Sequence, residues 1–182
     1  MTEVGHSLTG LAIGCLSVPA RFNKRAKAVY LLGFAALANV PDFPIKGWGH
    51  DLYHVSHSLA VNALIIAALI GILRVFCRRF SFSVPKVVVF AAACAWLSHL
   101  VLDSFYCHGH GIRIFWPFSS TTALNLAVPW FKVKNVHVSP LDWYNLRISL
   151  IEFASYSPLV IACVVFRRIK EKCCSTQTLP RR

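Results

Sequence analysis

The chain has 182 residues, 56% of them hydrophobic and 14% charged, and its mean hydropathy is +0.57. This balance excludes an ordinary soluble domain, in which about a quarter of the residues are charged, and is typical of a helical membrane protein. The net charge is +12 at pH 7. The positions of the basic residues, described below, indicate membrane topology rather than a nucleic-acid-binding surface, so no nucleic-acid partner is expected.

Two short apolar segments begin the chain and predict helix one at about 4–20 and helix two at about 28–40. The amino terminus carries Glu3 and His6 instead of the basic region of a secretory signal, so helix one is expected to be retained. It is short for a full crossing and is expected to tilt or to sit partly embedded. Helix two is expected to stop before Pro41, because the residue before proline disfavours helix.

Three longer segments follow, each reaching the roughly 20 residues that a crossing requires. Helix three is predicted as one helix over 53–77, with His57 on its first turn and Ser56 as its cap. Helix four is predicted over 86–106. Helix five is predicted from the Ser139-Pro140-Leu141-Asp142 start signal to about Arg168. Residues 107–138 contain two glycines and two prolines and predict irregular structure.

The sequence therefore predicts an all-α, polytopic membrane bundle of about five helices. Residues 1–170 are assigned to one membrane-embedded helical domain and 171–182 to a basic cytoplasmic tail. Fourteen of the 19 Lys and Arg residues fall after helix one, between helices three and four, or after helix five. An alternating path places all three clusters on one side, which the positive-inside rule makes cytoplasmic. The amino terminus is then outside and the carboxyl terminus inside.

The histidines segregate toward the opposite, extracytoplasmic end. All eight fall there, together with four aspartates: His6, His50, His54, His57, His99, His108, His110, His137, Asp42, Asp51, Asp103 and Asp142. His99 and Asp103 are four residues apart, so they share one helical face and can share a metal ion. Ionisable groups in a spanning helix are costly and indicate function. The sequence thus predicts a histidine–aspartate cluster at this end.

Five short motifs occur in a fixed order and carry a resemblance. They are Gly5-His6, Asn39-Val40-Pro41-Asp42-Phe43, Ser56-His57-Ser58-Leu59, Ser98-His99-Leu100-Val101-Leu102-Asp103 and Ile114-Phe115-Trp116-Pro117-Phe118-Ser119. Together they resemble the YdjM-like family of inner-membrane metal-dependent hydrolases, the LexA-binding, inner membrane-associated type. The resemblance covers roughly residues 5–120 and implies an integral protein of the bacterial inner (plasma) membrane.

The chain departs from that family's pattern at two places. Members commonly have a second carboxylate two residues beyond the Pro-Asp, where this chain has Pro44. Many also have His-Arg-Gly before the His-Ser pair, whereas this chain has Tyr53-His54-Val55. Both departures count against a full two-metal site.

The predicted ligands of a divalent metal ion are His6, Asp42, His57, His99 and Asp103. Imidazoles and carboxylates without thiolates suit zinc first, with manganese or iron as alternatives. Either Asp42 or Asp103 is predicted to act as the catalytic base. Contacts to the ligands or to the substrate are predicted for His54, His108, His110 and Arg113. The alternatives are a buried His99–Asp103 pair that only joins helices, a turn-forming Asp42 and a solvated His6. Glu152 faces either the cluster or the headgroup layer.

The predicted function is a membrane-bound metal-dependent hydrolase that acts on an ester or phosphoester at the interface, including a lipid-linked one. A metal ion lowers the pKa of bound water from about 16 to near 7 and so supplies hydroxide. Partners expected are the lipid bilayer, a small-molecule or lipid-linked ester, and a protein on the cytoplasmic side. The rival functions are a non-catalytic adaptor, a transporter, and a haem protein with His57 and His99 as axial ligands.

Overall fold

The computed structural model describes residues 3–49, 52–105, 111–119, 123–126 and 142–176. Within these residues it contains six α-helices, one short 3-10 helix and no β-strand. The elements are α1 (Glu3–Ser17), α2 (Lys24–Leu37), the 3-10 helix Val40–Asp42, α3 (Tyr53–Ser56), α4 (Leu59–Arg79), α5 (Lys86–Asp103) and α6 (Trp143–Thr176). The all-α prediction is confirmed, and the helix number is close to the five predicted.

The first two helices differ from the predicted ones mainly at their ends. Helix α1 ends at Ser17, three residues early. Helix α2 begins at Lys24, because the Asn23 side chain accepts a hydrogen bond from the Ala26 backbone N–H at 2.8 Å and caps it. Several basic residues therefore lie inside the first turn of α2 rather than before it. The helix ends before Pro41, as predicted, and the 3-10 helix follows.

The prediction of one continuous helix three is wrong, because the chain breaks at His57 and Ser58. Ser58 has extended backbone angles, and its hydroxyl accepts a hydrogen bond from the Val61 N–H at 3.3 Å, capping α4. Ser56 is not the cap of this helix, since its hydroxyl donates to the Gly49 carbonyl at 3.0 Å. His57 consequently lies between α3 and α4 rather than on the first turn of a long helix.

The last two helices also differ in extent. Helix α5 ends at Asp103, three residues before the predicted end. Helix α6 continues to Thr176, eight residues past Arg168. Asp142 precedes α6 and accepts from the Tyr144 N–H at 3.5 Å, in keeping with its predicted place at a helix start. The predicted Ser139 cap lies outside the described residues. Between α5 and α6 the described segments are irregular, as predicted, and are joined by an Ile112–Leu124 bridge.

Helix α1 lies at the centre of the bundle and packs against α2, α5 and α6. It runs parallel to α6: the Gly5 N–H donates to Glu152 at 2.9 Å near one end, and Arg167 donates to the Cys15 carbonyl at 2.7 Å near the other. Helix α2 returns antiparallel to α1. The two approach closely because Gly10 has no side chain, and an added Cβ would lie 2.3 Å from the Phe34 carbonyl oxygen.

Three helices, α4, α5 and α6 up to Cys173, are long and apolar enough to cross a membrane. Their outward faces expose large hydrophobic side chains, including Leu64, Phe90 and Ile161. Such surface is compatible with lipid and not with water. Basic residues gather at one end of the bundle, where α2 begins, α4 ends, α5 begins and α6 ends. The protein is an integral membrane protein whose basic end lies opposite the histidines described next.

Candidate metal centre

Four separate segments bring five of the predicted side chains together at one end of the bundle. His6 comes from the first turns of α1, Asp42 ends the 3-10 helix, and His57 lies in the break before α4. His99 and Asp103 come from the end of α5. The break that the sequence did not reveal places His57 here, because it turns the chain between α3 and α4.

The side-chain atoms of this His–Asp cluster lie within a narrow range of separations. His57 Nε2 is 3.1 Å from Asp103 Oδ2 and 3.2 Å from Asp42 Oδ1. His6 Nε2 is 3.2 Å from Asp103 Oδ1. His99 Nε2 is 3.5 Å from Asp42 Oδ2 and 3.6 Å from Asp103 Oδ2. One candidate ligand atom each from His6, Asp42, His99 and Asp103 lies within 4.8 Å of all the others.

The cluster is buried except on one side. The side chains of His6, His57, His99 and Asp103 are 0–1% exposed, whereas that of Asp42 is 15% exposed. Burying this much ionisable surface is costly unless the groups are paired or hold a cation. Asp42 is thus the member of the cluster through which solvent reaches the others.

The backbone fixes which ring nitrogens face the centre. His99 Nδ1 donates to the Ala38 carbonyl at 2.8 Å, and His57 Nδ1 lies 2.8 Å from the Ser56 hydroxyl and 3.1 Å from the Tyr53 carbonyl. A carbonyl oxygen only accepts, so Nδ1 of His99 carries a hydrogen. In both rings Nε2 is directed at the carboxylates. The two Nε2 atoms lie 3.3 Å apart. The ring of His6 stacks on that of His99 with centroids 3.7 Å apart.

This donor set fits a divalent cation. Tetrahedral zinc with bonds of about 2.0–2.1 Å separates its ligand atoms by about 3.3–3.4 Å. The five short imidazole–carboxylate contacts are 3.1–3.6 Å, and the other pairs of candidate ligand atoms lie within 4.8 Å. Two Nε2 atoms that both lack a hydrogen cannot hydrogen-bond to each other, and a proton or a metal ion between them would satisfy both. Backbone carbonyls that orient the far nitrogens are the usual support of metal-binding histidines. Imidazole and carboxylate ligands are those of zinc, manganese and iron sites.

Burial and mutual charge change the proton affinities of the groups outside the spanning helices. Burial alone raises the pKa of Asp42, but hydrogen bonds from His57 and His99 hold it well below its ordinary value. Burial alone lowers the pKa of His57, but its bonds to Asp103 and Asp42 raise it above the ordinary value. Burial, with the charges of Asp103 and Asp42, raises the pKa of Tyr53. Tyr53 therefore stays protonated and donates to Asp103 Oδ2 at 3.3 Å.

The haem alternative finds no support in this geometry. A haem iron holds its axial histidines on opposite faces of a porphyrin plane, so the plane must pass between their nitrogen atoms. His57 Nε2 and His99 Nε2 are 3.3 Å apart, and both contact the same two carboxylates. Carboxylates occupy the space that a porphyrin would need.

A buried hydrogen-bond network holds the His57 break in place. The Asn62 amide donates to the carbonyls of Ser56 and Ser58, each at 2.7 Å, and so grips the backbone on both sides of His57. Its oxygen accepts from Trp96 Nε1 at 2.7 Å, which joins α4 to α5 one turn before His99. The Ser58 hydroxyl donates to the Trp116 carbonyl, and the Leu59 N–H donates to the Ile114 carbonyl at 2.9 Å.

The remaining predicted site residues lie apart from the cluster or outside the described residues. The ring of His54 packs edge-on against Trp116, with centroids 5.2 Å apart. Arg113 is exposed in the 111–119 segment. His108 and His110 lie outside the described residues, as do His50, Asp51 and His137. The substrate and support roles of His54, His108, His110 and Arg113 stay predictions.

Sequence reasoning missed Tyr53, Asn62 and Trp96, and it left Glu152 open. Asn62 was detectable, because it is a lone amide in the apolar run of α4 and polar groups in spanning helices need partners. Glu152 is fully buried and accepts from the Gly5 N–H, next to His6. It therefore faces the interior at the level of the cluster and not the headgroup layer. Nothing in the pattern signalled Tyr53.

A protein-family model described as "YdjM inner membrane protein" matches residues 1–176, nearly the whole chain. No curated protein and no solved structure matches this chain.

Proposed function

Because this chain belongs to the YdjM inner membrane protein family, we propose that it is a membrane-bound metal-dependent hydrolase of esters or phosphoesters. One observation carries the proposal: three histidines and two aspartates from four segments meet through five imidazole–carboxylate contacts of 3.1–3.6 Å. A hydrogen-bonded pair that only joined two helices would not require histidines from α1 and from the α3–α4 break as well.

The proposed ligands are His6, Asp42, His57, His99 and Asp103, and zinc is the metal we favour, with manganese or iron as alternatives. A bound divalent ion would supply a Lewis acid and would lower the pKa of water to near neutrality. One ligand atom each of His6, Asp42, His99 and Asp103 lies within 4.8 Å of the others, and His57 contacts both carboxylates, which supports one shared ion. Pro44 offers no side-chain ligand, so we propose one ion rather than two.

Of the two aspartates, Asp42 is the better general base. It is the partly exposed member of the cluster, so a water molecule and a substrate could reach its carboxylate. Asp103 is buried, contacts His6 and His57, and accepts from Tyr53. These contacts suit a carboxylate that is held as a fixed ligand. Asp42 would then take the proton of the attacking water and pass it to the leaving group.

Substrate would approach through a cavity of roughly 320 Å³ between the start of α1 and the end of α2. This entry cleft is lined by the acidic residues Glu3 and Asp42 together with Ser7, Asn39 and Pro44. Its mixed polar and apolar wall lies at the rim of a membrane bundle. We therefore favour an amphipathic ester or phosphoester that lies at the interface over a fully soluble substrate.

We also propose the orientation, with the cluster and amino terminus outside the cytoplasm and the carboxyl terminus inside. The basic residues at the ends of α4 and α6 and at the starts of α2 and α5 support it, since such residues remain cytoplasmic. Ester substrates would then be those of the outer face of the bacterial inner membrane.

The test is metal analysis of purified protein, followed by phosphate or acid release from phospholipids and lipid-linked phosphoesters. We expect about one divalent ion per chain, and loss of both the ion and the hydrolysis in the double variant His99→Ala, Asp103→Ala. A matched control is Ser17→Ala, which removes a hydrogen bond to Tyr30 at the opposite end. Metal-free wild type, or activity unchanged in the double variant, would refute the proposal.

A further inference from the structure

Helix α4 and helix α5 enclose a groove that the proposed hydrolase does not use. Two adjoining cavities, of roughly 480 Å³ and 180 Å³, lie between these helices toward the basic end. They share five wall residues, which makes them one continuous groove: Ile70, Leu73, Val84, Val89 and Ala93. We name it the α4–α5 groove.

The groove exists because α4 is held only near its start. Asn62 is the one buried residue of α4, and beyond it the helix exposes apolar side chains such as Leu64, Ile72 and Val75. At the end away from the basic residues the groove is closed by Trp96, whose indole donates a hydrogen bond to Asn62. It therefore does not open into the His–Asp cluster.

The groove is as long as one leaflet is deep. Its walls run along α5 from Lys86 to Trp96, eleven residues, which is about 15 Å of helix. That is half of the roughly 30 Å hydrocarbon core of a bilayer. An acyl chain that starts at the basic membrane surface would thus end at Trp96.

Charge identifies the head of the occupant. Arg74 and Lys86 line the groove at its open end, and Arg78 and Arg79 end the same helix. The described residues that line the groove include no Asp or Glu. Two cations beside an apolar slot match a molecule with a negative head and an apolar tail.

From this combination we infer that the α4–α5 groove is a binding site for one anionic phospholipid of the leaflet at the basic end. Arg74 and Lys86 bind its phosphate, and an acyl chain lies against Leu73, Val89 and Ala93. The lipid fills the space that direct packing of α4 on α5 leaves open, so it is a structural part of the bundle rather than a substrate.

Native mass spectrometry of the purified full-length protein, equilibrated with equal amounts of phosphatidylglycerol and phosphatidylethanolamine, tests the headgroup. We expect wild type to retain the anionic lipid about tenfold over the zwitterionic one, since basic residues at the membrane surface attract anionic lipid. The ratio should fall to near one in Arg74→Gln, Lys86→Gln. It should persist in Lys24→Gln, Arg25→Gln, which removes equal charge from the same end at α2. No preference in wild type, or equal preference in all three, overturns the inference.

A second pair of variants tests the acyl-chain part. Ala93→Trp fills the groove and should abolish retention of both lipids, whereas Ala68→Trp, on an exposed position of α4, should not. Wild-type retention in Ala93→Trp contradicts the inference. If that variant does not fold, as judged by gel filtration and circular dichroism, the charge variants decide. Metal content is measured throughout and should not change, which separates this site from the proposed hydrolase.

Discussion

Replacing Asn62 by leucine is expected to weaken metal binding without any change to a ligand. Leucine has a similar volume but no amide, so the carbonyl of Ser56 and the indole N–H of Trp96 lose their partner. The Ser58 carbonyl keeps one, because it also accepts from the backbone N–H of residue 62. Each buried polar group left unsatisfied costs about 1–3 kcal/mol, so the two together cost roughly 2–6 kcal/mol of stability.

The effect on the metal follows from what Asn62 holds. It grips the carbonyls on both sides of His57, so its loss frees the segment that carries this imidazole. Groups that orient ligands typically contribute about 10–100-fold in metal affinity. We expect a decrease in that range for Asn62→Leu, measured by competition with a chromogenic chelator in detergent micelles. Trp96→Phe removes one hydrogen bond of Asn62 and leaves its bonds to the carbonyls beside His57, so the decrease in metal affinity should be smaller.

The control is Ser17→Ala, which removes a hydrogen bond to Tyr30 at the basic end. It should lower the melting temperature slightly and leave the metal affinity unchanged. If folded Asn62→Leu binds the ion as tightly as wild type, the reasoning that links this network to His57 is wrong.

Three further predictions concern protons, packing and capping. Metal affinity should fall as the pH is lowered from 8 to 6 in a titration with the same chelator. The raised pKa of His57 means that protons compete with the ion for this imidazole, so binding must release them. A pH-independent affinity would contradict this. Gly10→Ala should strongly destabilise the bundle, because the added Cβ would lie 2.3 Å from the Phe34 carbonyl oxygen. In the control Gly33→Ala the added Cβ meets open space, so this variant should be neutral or stabilising by up to about 1 kcal/mol. Equal melting temperatures of the two variants would refute the close α1–α2 approach. Ser58→Ala should cost about 1 kcal/mol as a lost helix cap and also lower metal affinity, because the adjoining residue is His57; a stability loss with full affinity would show that the cap is independent of the site.

Much of the fold could be predicted from apolar run length and from the proline signal. The stop before Pro41 and the existence of the longer apolar helices follow from local preference. The ends of these helices were less recognisable, since α5 ends three residues before the predicted position and α6 ends eight residues after it. The break at Ser58 was not, because it depends on distant partners: the hydroxyl donates to the Trp116 carbonyl, and the Asn62 amide holds the flanking carbonyls. A pattern of apolar residues alone continues through such a position.

The members of the His–Asp cluster were predictable because a buried ionisable residue is conspicuous in an apolar sequence. The segregation of histidines to one end and the spacing of His99 and Asp103 indicated where they would meet. Their supports were not predictable. Every residue has a backbone carbonyl, so the sequence does not show that the carbonyl of Ala38 fixes the orientation of His99 through a 2.8 Å hydrogen bond.

The distance along the chain between the contacting groups has a consequence for biosynthesis. His6 meets Asp103, 97 residues later, so the complete ligand set cannot exist on a nascent chain until α5 has been inserted into the bilayer. If the cluster binds an ion as proposed, binding would come late in assembly, after the first five helices have been inserted. A truncated product that ends before α5 would then carry several of the histidines and still fail to retain the ion.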